Sequence, residues 1–587
     1  MSQIDVLNYR SITKQSFALE RFTPLVGYNN AGKSNILSAI TWLIRPFSLG
    51  TGDFFDINQA VEVRGTVEGM SEQVLSNLGA THRKKIEPFC ANGIIRFRTI
   101  HSEPGISAAK TAYEIRDLDV ADEDDPDAWK NVSGIRQAIQ AMFPEPIPID
   151  AMDDAAEDVA KSKSGTTISK LLGLIVDPIR ESQGDELSEI LEGIRDRLEA
   201  DGLQRPQEII DFDTHANAQV SALFPGVEIA AHIPAPEISQ IFKSGTLKVR
   251  DKGSDVWRDV VNMGHGAQRT IQMALICYLA AKNFDSSKPA PLLLIDEPEL
   301  YLHPQGVEQV RQALVTLSET SFQIVFSTHS ASMIQRDDVP NALVVRRDRL
   351  NGTRSKKRLA DAISGVLQDN PSQTQTIFEL SNASEVLFSD SVVLAEGKTE
   401  KRILPPLYER VTGKTLALAK KALVVPDGSG GVHKCSKVLD AISVPHKAVV
   451  DLDFAFRAEN CEWLDNCYDE IQKCVAIFSD LCASNDFNLD GRGLPCKGGS
   501  MSASQAFSLL GSTQEAFSAI DSIHESLLQH NVWIWKKGCI EDYLGERGKN
   551  EKVWNRLAHD ILNPQSDLTE LLAHFDSLES FIEWIDA

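Results

Sequence analysis

Residues Gly27-Tyr28-Asn29-Asn30-Ala31-Gly32-Lys33-Ser34 spell the pattern G-x-x-x-x-G-K-[ST], and the segments on either side are the ones this pattern requires. Apolar Leu25-Val26 closes a short strand-like segment before it, and Ile36, Leu37, Ala39, Ile40 and Leu43 recur at helical spacing after it. A glycine-permitted loop between strand and helix curls its amides around a phosphate, and the helix N-terminus adds unpaired N–H groups and the positive end of its dipole. On this reading Gly27, Asn29, Asn30 and Gly32 shape the cradle, Lys33 bridges the β- and γ-phosphates of ATP, and Ser34 offers its hydroxyl to Mg²⁺. The N-terminal region is thereby committed to an α/β arrangement.

At 587 residues the chain exceeds one hydrophobic core, and about 150 residues per domain predicts three or four domains. No run of about eighteen apolar residues appears, and the N-terminus lacks the basic-then-apolar build of a signal peptide, so a cytoplasmic protein with no membrane partner is expected. Nine cysteines, an odd number, read as reduced thiols. Fifty-nine basic against eighty-three acidic residues, a net charge of −24, argue against a chain coated in positive charge for non-specific nucleic-acid binding. A local basic track remains compatible, as do carboxylates that hold several Mg²⁺ ions.

Ile4 to Ser11 and Gln15 to Leu19 read as two strands leading into the loop, where Arg10 either reaches the nucleotide or is an exposed hairpin arginine. The β-type runs Val61 to Val67, Ile94 to Ile100 and Ala112 to Ile115, with a helical stretch near Met70 to Leu78, extend this first part over 1–119. From 120 to 215, acidic runs (Asp122 to Asp125, Asp153-Asp154) frame helical spacing at Ile168, Leu171, Leu172, Leu174 and Ile175, then at Leu187, Ile190, Leu191, Ile194 and Leu198. This predicts a helical insertion, either packed on itself or used for dimerisation.

The remaining ATPase parts fall in 216–345. Gly264-His265-Gly266-Ala267-Gln268-Arg269 precedes a helix, and its glycines let backbone amides approach an anion, so Gly264, Gly266 and Gln268 are candidate phosphate contacts. The buried-strand run Leu292 to Ile295 ends in Asp296-Glu297; Asp296 suits the Mg²⁺ shell and Glu297 the orientation or deprotonation of attacking water. A second apolar strand, Phe322 to Thr328, ends at His329, placed to sense a γ-phosphate. In this order the phosphate loop, glycine-rich signature, LLLIDEPE and STHS resemble the ABC-type ATPases of the SMC and RecF group. That resemblance implies two composite ATP sites in a head-to-tail dimer, although Gly-His-Gly-Ala-Gln departs from the usual Ser-Gly-Gly-Gln and no long heptad arm is present.

Residues 346–390 read as a basic linker, in which Arg346, Arg347, Arg349, Arg354, Lys356, Lys357 and Arg358 either track a phosphate backbone or form a solvated loop. Beyond it, strand-helix alternation restarts: Val392 to Ala395, Lys401 to Tyr408, Leu423 to Val425, a loop at 428–431, Val432 to Ile442 and Ala448 to Val450. Glu396 follows the first strand. Asp451 and Asp453 end the third, at a spacing that projects both to one side of an extended chain. Converging carboxylates need a cation, and Mg²⁺ with oxygen ligands and open positions suits phosphodiester cleavage by two ions about 3.5–4 Å apart. Glu400, one helical turn after Glu396, is a candidate for the second ion. Cys461, Cys467, Cys474, Cys482 and Cys496 lack zinc-pair spacing and read as thiols in a helical insertion.

Ala395-Glu396-Gly397-Lys398-Thr399-Glu400 with Asp451-Leu452-Asp453 resembles the Toprim domain of topoisomerases, DnaG-type primases and certain nucleases. An ABC-type ATPase followed by Toprim resembles the OLD nucleases (overcoming lysogenization defect), a family that includes the nuclease subunit of the Gabija anti-phage system. The resemblance implies an insertion that dimerises, Mg²⁺ or Mn²⁺ held by Glu396, Glu400, Asp451, Asp453 and Glu541, and a late lysine that steadies charge on phosphate. Lys537 is the candidate lysine, with Lys536 its rival. The expectation is therefore an α/β protein with an ABC-type ATPase, a helical insertion and a Toprim domain over 391–587. Its expected function is ATP-regulated, divalent-metal-dependent DNA endonuclease, nicking or cutting both strands, in phage defence or DNA processing. It would work as a homodimer or tetramer, with room for a helicase or other defence-system partner. The alternative is a RecF-like ATP-gated DNA clamp with a non-cleaving Toprim scaffold.

Overall fold

The computed structural model describes residues 1–587 apart from 123–124, 144–145, 150–166, 237–246, 281–290, 321, 336–337, 339–340, 349–350, 356–357, 359–360, 362–385, 427–428, 443, 459–460 and 546–550, and apart from the side chains of 126, 167–182, 261, 265, 279–280 and 429–430. The acidic pair Asp153-Asp154, the apolar spacing from Ile168 to Ile175, and Arg349, Lys356 and Lys357 therefore lie outside the described residues or side chains. Two compact units result, Met1–Thr23 with Ser34–Met333, and Pro24–Lys33 with Ile334–Ala587.

In the first unit an antiparallel run places Ile12–Ala18 beside Gln3–Tyr9, then Val61–Val67, Ile95–His101, Ala112–Arg116 and Trp129–Lys130. Strict alternation explains its two faces: Val61, Val63, Ile95 and Phe97 are buried, while Glu62, Arg64, Arg98 and Glu114 pair on the other side. A parallel trio, Ile147–Ile149, Leu292–Asp296 and Gln323–Thr328, carries near-continuous apolar runs because helices cover it. Helices His265–Ala280 and Pro304–Thr320 supply Met273, Ile276, Leu314 and Leu317 to a core with Leu293, Ile295 and Phe326.

The stretch expected to be a helical insertion is only partly so. Ile147–Ile149 pairs in parallel with Leu292–Asp296, and the long helices begin later, at Thr167–Leu198 and Gln207–Leu223. Three residues containing a proline leave no periodicity from which a strand can be read.

In the second unit Leu343–Asp348 and Gly352–Ser355 form an antiparallel hairpin, and Leu343 and Val344 pair in parallel with Leu25 and Val26. The first residues of the expected basic linker, 346–390, thus lie in this hairpin, and most of the rest of it lies outside the described residues. Arg346 donates to Ser389 O at 2.6 Å and Asp390 O at 3.0 Å, and Arg347 donates to Asn30 Oδ1 at 3.1 Å, so these charges hold the chain together.

The main sheet of this unit is parallel, in the order Lys421–Val424, Ser391–Ala395, His446–Val450, Val532–Ile534. The two-residue period sorts its side chains. Val392, Leu394, Ala448, Val450, Val532 and Ile534 enter one apolar cluster, whereas Val393, Ala395, Val449 and Trp535 enter another with Ile403, Leu407, Tyr543 and Phe581. Functional groups then gather where these strands end. The nine cysteines are unpaired, and among the described residues none joins a metal-type cluster. No helix among the described residues is long and apolar enough to cross a membrane.

Candidate active site

Strand Ser391–Ala395 delivers Glu396 and strand His446–Val450 delivers Asp451, neighbours because the two strands are paired. Carboxylate oxygens of Glu396, Asp451 and Asp453 lie within 4.8 Å of one another. The backbone N–H of Asp451 donates to Glu396 Oε2 at 3.1 Å. Extended-strand alternation is not what brings Asp453 in. The strand stops at Val450, and a turn through 451–453 leads into the short helix Phe454–Arg457, whose Arg457 Nε lies 3.1 Å from Asp453 Oδ2.

The electrostatics fit a cation site. Burial and then the Asp453 charge push the Glu396 carboxyl up to about 8, and burial pushes Glu400 up to about 7 with Glu541 adding to it. Burial, with Glu400, Glu396, Glu541 and Asp453 as further causes, raises Asp451 well above the ordinary range. The carboxylates of Glu396, Glu400 and Asp451 are thus raised by burial and by acidic neighbours at a partly buried site. Asp451 Oδ1 is buried without a hydrogen-bond partner, which is costly for protein alone and natural for a metal ligand. Oxygen-only donors of this kind suit Mg²⁺ or Mn²⁺.

Glu400 is buried in the first turn of Lys398–Thr412, where the helix dipole favours an acid. It folds back toward Gly397, where an added Cβ would meet Glu400 Oε2 at 2.7 Å. Glu541 accepts a hydrogen bond from Thr399 Oγ1 at 2.8 Å, which ties the late helix Ile540–Leu544 to the same helix start. The indole N–H of buried Trp535 stands beside the Glu400 carboxylate without closing a hydrogen bond. Lys536 is engaged with Asp521 at 2.9 Å, and the Lys537 backbone N–H donates to Tyr543 Oη at 3.2 Å.

At the phosphate loop, Gly27 is required by space: a Cβ there would lie 2.1 Å from Val345 O. Gly32 has φ +101°, open to glycine and strained for other residues. Lys33 is buried and its Nζ donates to Gly27 O at 2.8 Å and Tyr28 O at 3.0 Å, the carbonyls nearest the cradle a phosphate would fill. Asn29 is exposed, and Asn30 is the acceptor for Arg347. Tyr28 lies under the Lys420 ammonium, 4.4 Å from Nζ to ring centroid, and its hydroxyl is raised by burial and by Asp390.

In the other unit Ser34 Oγ donates to Asp296 Oδ2 at 2.7 Å, and the Ser327 hydroxyl takes the second Asp296 oxygen, so the two residues expected to share Mg²⁺ are in contact. Glu297 Oε1 and His329 Nε2 are 2.8 Å apart. Helix His265–Ala280 starts inside the glycine-rich signature rather than after it, so Gly266 and Gln268 form its first turn just past Gly264, and Gln268 Nε2 donates to Met263 O at 2.9 Å. Arg10 pairs with Asp53 at 2.8 Å, the hairpin alternative.

Two supporting residues escaped sequence reasoning. Buried Arg269 donates to the carbonyls of Asp296 and Glu297, and Glu299 Oε1 accepts from Thr328 Oγ1, His329 N and Ser330 N. An arginine inside an apolar helix was the available signal for the first; Glu299 left none beyond its place after Pro298.

Residues 149–334 match the family described as AAA ATPase domain, and 387–453 match the Overcoming lysogenization defect protein-like, TOPRIM domain. The chain is 36% identical over 594 residues to the Old nuclease of Escherichia phage P2, covering 100% of this chain and 99% of that protein. It is 21% identical over 490 residues to the OLD nuclease of Thermus scotoductus, covering 77% and 82%. An SMC head bound to the C-winged helix domain of ScpA is similar at 15% identity and a TM-score of 0.36, over 62% of this chain and 99% of that one.

Proposed function

The chain belongs to the OLD nuclease family, with an ATPase domain followed by a TOPRIM domain, and from that premise we propose that this nuclease is an ATP-regulated, Mg²⁺-dependent DNA endonuclease. The observation that carries the reading is the meeting of Glu396, Asp451 and Asp453 oxygens within 4.8 Å. Glu396, Asp451 and Asp453 would hold one ion, with Glu400 and Glu541 available to a second. Such ions supply an activated water and charge neutralisation at phosphate. The chain itself fixes the ligands: the Asp451 amide orients Glu396, Thr399 orients Glu541, and Lys537 presents a cation for charge that develops on the phosphate.

ATP regulation is supported by the packing of the phosphate loop within the TOPRIM unit. Tyr28 meets Lys420 and Asp390, which immediately precede strands Lys421–Val424 and Ser391–Ala395, the latter leading into Glu396. A homodimer is supported by apolar side chains left in solvent on and beside the long helices: Phe212 is 58% exposed, Leu223 75% and Phe224 67%. A role in phage defence or DNA processing completes this reading. Supercoiled plasmid incubated with Mg²⁺ or Mn²⁺, with and without ATP, tests the reading. Wild type should nick or linearise it, Glu396→Ala and Asp451→Ala should not, and Lys33→Ala should cut with altered nucleotide response. Intact plasmid in every wild-type reaction would overturn it.

A further inference from the structure

Arg457 ends the short helix Phe454–Arg457 and is held three ways. Its Nε faces Asp453 Oδ2 at 3.1 Å, Nη2 donates to Pro495 O at 3.1 Å, and the guanidinium lies 5.7 Å from the Phe507 ring centroid. Two of these anchors do not involve the acid. Pro495 belongs to the two-stranded ribbon Asn488–Leu489 with Pro495–Cys496, and Phe507 to helix Ala503–Leu510. Nη1 has no partner among the described residues, and 36% of the side chain is exposed, so a donor edge faces solvent beside the carboxylates.

This arrangement exceeds what is needed to hold Asp453. A divalent ion bound by Asp453 draws that carboxylate's charge to itself, yet the backbone carbonyl and the aromatic face still hold the guanidinium in place. A phosphodiester held at the same ion would bring an oxygen near Asp453, and so near the guanidinium paired with it, whose Nη1 is unused. Guanidinium donors form a fork matched to phosphate oxygens, and they strengthen as charge accumulates there. Resting on the nuclease reading above, we propose that Arg457 is a catalytic residue of strand cleavage: it contacts a non-bridging oxygen of the scissile phosphodiester, and the segment from Asn488 to Leu510 is its mount.

The test compares full-length wild type, Arg457→Gln and Arg457→Lys in three measurements: Mn²⁺ binding without DNA by calorimetry, binding of a fluorescent duplex in Ca²⁺ by anisotropy, and plasmid nicking kinetics in Mg²⁺. Arg457→Gln should bind Mn²⁺ as tightly as wild type or tighter, because the guanidinium no longer competes with the ion for Asp453 Oδ2. Its kcat should fall by about 10²–10³ with a smaller change in KM, the loss typical of one removed charge-stabilising donor. Arg457→Lys, which keeps the charge, should recover part of the rate, and it carries the test alone if thermal melting shows the glutamine variant unfolded. Weaker Mn²⁺ binding with full nicking at saturating Mn²⁺ would reduce Arg457 to a positioning residue and overturn the proposal. Unchanged nicking in the variants beside an active wild type would overturn it too, leaving the nuclease reading intact. A wild type that cuts nothing would instead sink that reading, and this role with it.

Discussion

Glu396→Gln should make the metal-free protein more stable, by an amount that grows as pH rises above about 5. Burial and the neighbouring Asp453 raise the Glu396 carboxyl from 4.5 to about 8. An acid whose folded value lies above its unfolded value favours folding while protonated. Between those values the native state binds more protons than the unfolded chain, so its contribution is fully present below about pH 4.5 and is lost as pH rises toward 8. At about 1.4 kcal/mol per pH unit the charge costs the fold at most about 5 kcal/mol at pH 8. Because Asp453 and Glu400 share the repulsion, removing one charge should return about 3 kcal/mol. At about 2–4 °C per kcal/mol for a unit of 150–250 residues, that is roughly 6–12 °C in Tm. Scanning calorimetry in EDTA should find the two proteins nearly equal at pH 5 and separated at pH 8. Saturating Mg²⁺ should then narrow or reverse the gap, since ligand binding stabilises chiefly the protein that keeps all its ligands. A difference between wild type and variant that does not change with pH would show that the acids are not crowded in the folded protein, and the metal centre would go with it.

Three further outcomes follow from other contacts. Lys33→Ala removes a charged donor and should weaken binding of a fluorescent ATP analogue by about 10–100-fold, measured by titration, while metal-only nicking persists. Lys420→Ala should leave nucleotide affinity within about twofold but reduce the effect of nucleotide on cutting by about two- to fivefold, the scale of one exposed cation–π contact, as plasmid assays across ATP concentrations would show. The double variant Phe212→Asp with Leu223→Asp should sediment as a monomer if the exposed helices form the subunit interface, and an unchanged sedimentation coefficient would remove the long helices from it.

Much of the fold is legible along the chain because its signals are local. The continuous apolar runs Val392 to Ala395 and Ala448 to Val450 read as strands, and the structure then sorts their side chains onto two faces, since successive residues of a strand must point opposite ways. The phosphate loop and the Glu396 and Asp451 positions were equally readable, as strand ends in a parallel sheet are where such groups collect. Packing decided the rest. A run of arginines looks the same whether solvated or spent on carbonyls, and only the fold shows Arg346 bound to Ser389 and Asp390. Asp453 reaches its partners through a turn that strand alternation does not describe, and only the fold shows Lys536 engaged by Asp521, fifteen positions away. Arg269 and Arg457 gain their meaning from partners tens of residues distant. Periodicity is set by bond geometry within a few residues, whereas the burial of a charge and the identity of its neighbour are set by which segments the apolar cores draw together.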